Sequence, residues 1–329
     1  MLSRVANSLY WLSRYVERAE NLARLVDVNR VAALDNSVTG EEDLWKPLIS
    51  VTSLEGAYSA AKEKEGDGLD VGRFVTLAYS NPDSIRQCIA KARENARMVR
   101  DQISEEMWLE LNSAHLFIRS PAAEKQWVNE PDSIYREVIK FCLLFEGLIE
   151  ATILHDEGWH FVQVGKFLER ADKTSRILDM LTHAQTPDRV LLTSVLRSCS
   201  AFAAFRAEFR GDVTLENVTS FLLFSNSFPR SVRFCLRNLD HLLHAISGVP
   251  GGSYANEAER LTGNMLAQMN FSNIDNVYQV GLHQYIDNLQ AQINEIGQRV
   301  FETYVLLPSE VQSVPPSINR QLQWQQQQQ

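Results

Sequence analysis

The chain has 329 residues, 45% of them hydrophobic and 22% charged, which gives length enough for a large buried core and excludes a disordered protein. Its 41 acidic and 32 basic residues leave a net charge of -9, which argues against a nucleic acid or an anionic membrane as main partner, since both select basic faces. Four widely spaced cysteines, Cys88, Cys142, Cys199 and Cys235, form no CxxC pair and read as buried thiols of a reducing compartment.

Glycine and proline number only 15 and 10, and apolar residues recur at spacings of three and four, so nearly the whole chain reads as helix. In chain order, long helices are expected at about 5–35, 82–103, 133–155, 157–183, 229–246 and 273–305. Breaks are expected at the glycine- and proline-bearing stretches 40–42, 66–68, 80–82, 120–121, 186–187 and 248–252. Charges at Arg4, Arg14, Glu17 and Arg18 interrupt the first helix before a signal-peptide core accumulates, and no later stretch has the run of roughly 18 apolar residues of a spanning helix. The expected location is the cytoplasm. Residues 308–329, "PSEVQSVPPSINRQLQWQQQQQ", read as a disordered or loosely docked tail.

Two motifs recur in the same order. "YVERAENLARLVD" at 15–27 returns as "FLERADKTSRILD" at 167–179, and "FVTLAYSNPDSIRQCI" at 74–89 aligns without gaps to "FLLFSNSFPRSVRFCL" at 221–236. The offsets are 152 and 147, a difference that one change of loop length explains. The fold expected is therefore an all-α helical bundle, one unit over 1–307 built from an internal duplication of about 1–156 and 157–307 with a pseudo-twofold arrangement.

On the first motif helix Leu12, Tyr15, Ala19, Leu22, Ala23 and Val26 form a core stripe, with Glu17 and Arg24 opposite and Arg18 at its margin. The second copy repeats this with Glu169, Arg170, Lys173 and Arg176. Two readings stand side by side. The pairs Glu20 with Arg24 and Asp172 with Arg176, four residues apart, and Arg24 with Asp27 and Arg176 with Asp179, three apart, suit a solvated face. Alternatively Glu17, Arg18, Glu169 and Arg170 meet across the pseudo-twofold axis and line a polar cleft, where guanidinium forks bind a carboxylate or phosphate. A buried structural ion pair accounts for the same four residues equally well.

Arg93, Arg97 and Arg100 share a helical stripe that suits either an anionic group or solvent. Pro229, Arg230 and Arg233 stand at a helix start, where capping is expected ahead of an anion site. The ligand- or partner-binding candidates are thus Arg14, Glu17, Arg18, Arg24, Arg93, Arg97, Glu169, Arg170, Arg176 and Arg230. Glu157 and His160 have the ExxH spacing of di-iron proteins, but no second ExxH exists, so no metal site and no cofactor is expected. His155 and His160 beside Asp156 and Glu157 fit a proton-transfer pair or a structural helix junction. GxGxxG, GxxxxGK[ST], HExxH and GxSxG are all missing from the sequence, and no residue is assigned a catalytic role.

The stretches 3–27, 81–112, 156–179 and 228–234 resemble the bacterial Alpha-E domain family, all-helical proteins named for a Glu-Arg motif that corresponds here to Glu17, Arg18, Glu169 and Arg170. The resemblance implies genes beside a circularly permuted ATP-grasp carboxylate-amine ligase and a transglutaminase-like cysteine peptidase, and a role in peptide synthesis or modification. The expected function is a non-catalytic helical partner of that ligase, or a component that binds the peptide. The alternative is an enzyme that uses the Glu-Arg pairs for acyl or phosphoryl chemistry, with Glu17 or Glu169 as general base, which requires a raised glutamate pKa.

Overall fold

The computed structural model describes residues 1–35, 48–49, 51–52, 54–66, 69–184 and 186–306, and among them all regular structure is helical. The break expected at 40–42, residues 67–68 of the break expected at 66–68, and the tail 308–329 lie outside the described residues. The first half contains α1 Ser3–Asp35, α2 Glu55–Glu65, α3 Val71–Thr76, α4 Ile85–Met98, α5 Glu105–Ile118, α6 Pro121–Asn129 and α7 Pro131–Thr152. The second contains α8 Glu157–Asp179, α9 Arg189–Ser198, α10 Phe202–Phe209, α11 Leu215–Phe224, α12 Val232–Ser247, α13 Glu257–Phe271, α14 Ile274–Val280 and α15 Leu282–Phe301. A 3-10 turn, Met180–His183, extends α8, and a π turn, Glu302–Leu306, extends α15.

The two motif helices, α1 and α8, pack against each other at the centre of the bundle. Around them, α1 packs on α4 and α7 while α8 packs on α12 and α15. Surrounded in this way, α1 buries Leu9, Val16 and Leu25 as well as its stripe of Leu12, Ala19, Ala23 and Val26. The crossing is close because Gly165 has no side chain: a Cβ there would stand 2.3 Å from the Tyr10 carbonyl oxygen. Backbone meets backbone at that point, and only glycine permits it.

Local sequence sets the helix ends. Ser84 and Ser231, at matching positions of the recurring sequence motif, cap α4 and α12 by accepting from the backbone N–H of Gln87 and Phe234. Each hydroxyl also donates to a carbonyl six residues back, Ala78 and Ser225. The aligned Arg86 and Arg233 donate to carbonyls at the last turns of α5 and α13, Ile118 and Met269, where helix carbonyls lack partners. The helix expected over 273–305 is broken: Gly281, at φ +92°, separates α14 from α15. The helix expected over 82–103 is only Ile85–Met98, since Ser84 caps it and Val99 ends it.

Candidate functional site

Glu17 and Arg18 on α1 face Glu169 and Arg170 on α8, and they pair crosswise. Glu17 accepts from Arg170 Nε at 2.9 Å and Nη2 at 2.7 Å. Glu169 accepts from Arg18 Nε at 2.7 Å and Nη2 at 3.2 Å. Each guanidinium therefore presents a two-pronged fork to a carboxylate of the other helix, the geometry in which arginine binds best.

Further bonds saturate both carboxylates. Glu17 also accepts from Arg230 Nη1 at 2.7 Å and Asn21 Nδ2 at 2.9 Å, and Glu169 from Arg14 Nε at 2.7 Å. Burial by itself raises a carboxyl pKa, but the guanidiniums of Arg170 and Arg230 outweigh it and hold Glu17 at about 2. Glu169 is likewise pushed up by burial and drawn well below the usual range by Arg14 and Arg18. Both carboxylates stay ionised near neutral pH and are poor proton acceptors. The raised glutamate pKa that the general-base reading required is therefore replaced by a lowered one.

The ion pairs divide into two networks of unlike charge. On one side Glu17, Glu20, Glu146 and Glu150 meet Arg24, Lys166, Arg170 and Arg230, four carboxylates to four cations. On the other, Glu169, Asp172 and Asp83 meet Arg14, Arg18, Lys91, Lys173 and Arg176, so cations outnumber carboxylates five to three among the described residues. With Arg176 left out the network counts four cations to three carboxylates, and Lys91, one of the four, does not line the cleft. The balanced network buries Glu17, Glu20, Arg170 and Arg230 and reaches the surface at Glu146 and Glu150. The cationic one opens on a cleft of about 210 Å³ whose charged lining is Arg14, Arg18, Asp83, Asp172, Lys173 and Arg176, with Leu22, Leu25 and Ile177 as apolar wall. Arg14 donates through Nε to Glu169 and through Nη1 to Tyr10, which leaves Nη2 without a protein partner among the described residues.

A family model described as a predicted alpha-helical domain with a conserved ER motif, Alpha-E, matches residues 1–305. The chain belongs to the Alpha-E family. Uncharacterised proteins of Mycobacterium bovis and of two Mycobacterium tuberculosis strains, CDC 1551 and H37Rv, are 24% identical to this Alpha-E chain over 336 residues. The alignment covers 94% of this chain and 38% of each relative, so the chain spans well under half the length of those relatives. No solved structure matches the chain.

Of the residues that the Alpha-E sequence offered as a site, Arg14, Arg18 and Arg176 line the cleft, while Glu17, Glu169, Arg170 and Arg230 are buried. Arg24 joins the balanced network through Glu20 at 2.8 Å. Glu20 and Asp172 are buried too, not on the solvated face expected of them, because α1 and α8 are enclosed by neighbouring helices. Asp179 accepts from Thr182 and meets His283 at 2.9 Å. Arg93 and Arg97 lie away from the cleft on α4: Arg93 bonds Asn112 and Glu94, and Arg97 bonds Glu94. Arg230 precedes the Ser231 cap and points to Glu17 and Glu20, with no anion site at the helix start.

Asp83, in the cleft, was missed; its signal was present, since Asp83 aligns with Arg230 and an acid facing a base across a repeat marks a site where the two halves differ. Asp156 caps α8, Glu157 meets the Met1 amino group at 2.8 Å, and His155 stacks on Trp159, the contacts of a structural junction. Asp179, His283 and Asp287 bring three metal-ligand atoms within 4.8 Å of one another on the surface, a grouping their sequence separation conceals. There the imidazole is already engaged by Asp179. No single helix among the described residues is long and apolar enough to cross a membrane.

Proposed function

We propose that this Alpha-E protein is a non-catalytic, peptide-binding component of a peptide synthesis or modification system, working with an ATP-grasp carboxylate-amine ligase and a transglutaminase-like peptidase. The basic cleft receives an anionic group of the peptide, its carboxylate. The observation that carries this reading is the lining of the cleft, where Arg14, Arg18 and Lys173 stand with Asp83 and Asp172 and the Glu169 carboxylate is buried beneath, in a chain whose overall charge is -9. Of the motif glutamates, Glu169 holds Arg14, Arg18 and Lys173 in place from beneath. A reducing, cytoplasmic setting suits the four buried free thiols.

The test is ATP turnover and product formation by an ATP-grasp carboxylate-amine ligase of the same organism, on a peptide pool, with and without this protein and its Lys173→Gln variant. Lys173 bonds Asp172 at 2.8 Å and is partly exposed at the cleft, so its neutral replacement removes cleft charge without opening the core. Stimulation by the native protein that Lys173→Gln abolishes is the expected result. No effect of the native protein on rate, product or co-elution contradicts the proposal.

A further inference from the structure

The basic cleft does not stand alone. Beyond Arg14 and Asn294, which line both, lies a second hollow of about 340 Å³ whose walls include Tyr10, Trp11, Leu168, Ile293 and Phe301. The Arg14 guanidinium, at 4.8 Å from the Trp11 ring centroid, is the divide between a cationic side and an aromatic and aliphatic side. Gly297 keeps this hollow open, since a Cβ there would stand 3.2 Å from Leu168 Cδ2 and 3.8 Å from Arg14 Nη1. At about 210 Å³ the cleft is smaller than the roughly 300–1,000 Å³ of sites that enclose a whole small ligand, so it takes one anionic group and leaves the rest of the ligand to its surroundings.

We infer that the ligand of this site is a peptide ending in an aromatic or branched aliphatic residue, with its terminal carboxylate at Arg14 and Lys173 and its last side chain in the hollow beside Trp11. The inference rests on the proposed peptide-binding function and adds the identity of the terminal residue. Arg14 and Lys173 both contact the Glu169 carboxylate, at 2.7 and 3.5 Å, which places the two cations within reach of one anionic group. A C-terminal residue carries its carboxylate and its side chain on one carbon, and Arg14 is the residue at which the cationic and apolar surfaces join. A side chain that leaves water for such a hollow gains about tenfold to a hundredfold in affinity over glycine.

Calorimetric titration of the full chain with N-acetyl-Ala-Phe, its C-terminal amide and N-acetyl-Ala-Gly tests this, with Gly297→Leu and Phe301→Ala alongside. The native protein is expected to bind the Phe peptide at least about tenfold tighter than the Gly peptide, and tighter than the amide. Gly297→Leu fills the hollow and is expected to abolish the preference for Phe while keeping the preference for carboxylate over amide. Phe301→Ala, which removes a wall without crowding Leu168, is expected to weaken the Phe preference and supplies the same test if Gly297→Leu does not fold. Equal affinity for the Phe and Gly peptides, with carboxylate preference intact, overturns the inference and leaves the proposed function standing. Equal affinity for carboxylate and amide overturns both. A Phe preference unchanged in both variants overturns the placement of the side chain.

Discussion

Glu17 and Arg170 are 153 residues apart in sequence and lie fork to fork in the interior, with Nε and Nη2 of the arginine at 2.9 and 2.7 Å from the two carboxylate oxygens. Loss of one partner strands the other charge away from water. Glu17→Gln leaves Arg170 with only the half-buried Glu146 and deprives Arg230 of one of its two carboxylates. The expected cost is about 3–5 kcal/mol of unfolding free energy, measured in urea. The double variant Glu17→Gln with Arg170→Gln should cost less than the sum of the two single variants, because the second change removes the stranded charge.

The same carboxylates set the acid limit of the fold. Glu17 is held at about 2 against an ordinary 4.5, and Glu169 is also lowered. A depressed folded-state pKa contributes stability that is fully present above about pH 4.5 and lost as pH falls toward 2. For Glu17 that contribution is on the order of 3 kcal/mol. Urea midpoints measured between pH 7 and pH 2.5 should be level down to about pH 4.5 and then fall, and Glu17→Gln should flatten part of that fall.

Gly165→Ala tests the helix crossing. The new methyl would sit 2.3 Å from the Tyr10 carbonyl oxygen, which belongs to the α1 backbone and has no rotamer to escape through. Gly165→Ala should destabilise the protein by about 1–3 kcal/mol or more, although alanine is the better helix former. Alanine at the exposed Gly147, in α7, meets nothing within 4 Å and should be neutral or stabilising.

Burial pushes the thiols of Cys88, Cys199 and Cys235 up to about 12 and that of Cys142 well above its ordinary value. A protonated, enclosed thiol is a poor nucleophile. Titration with a thiol reagent at pH 8 should find the four cysteines slow in the native state and all four reactive in denaturant.

The all-helical class and the register of the two Glu-Arg helices were legible in the sequence because both depend on periodicity and identity along the chain. That Glu17, Arg18, Glu169 and Arg170 meet was one of the readings the sequence offered, but the choice between a buried pair, a cleft and a solvated face was not legible. A helical wheel puts Glu17 opposite the stripe of Leu12, Ala19 and Val26 and so suggests a cleft or solvent. It cannot show that α4, α7 and α8 close around α1 and carry Glu17, Glu20 and Asn21 inside. Arg93 and Arg97 misled for the related reason that a cationic stripe looks the same whether it faces a ligand or, as here, Glu94, Asn112 and the Trp108 ring. The break at Gly281 was hidden by apolar spacing on both sides, which continues through a single residue of positive φ.

On the proposed function, the Glu-Arg motif clasps two helices while the cleft cations bind the peptide. The most direct measurement sets Glu17→Gln beside Lys173→Gln, each with a urea unfolding curve and a calorimetric titration with N-acetyl-Ala-Phe under conditions where it is folded. Glu17→Gln should lose stability and keep affinity within about twofold, whereas Lys173→Gln should lose affinity about tenfold or more and lose less stability than Glu17→Gln, since Asp172 keeps Arg176 and Glu169 keeps Arg14 and Arg18. A Glu17→Gln protein of native stability that no longer binds the peptide would contradict this reading.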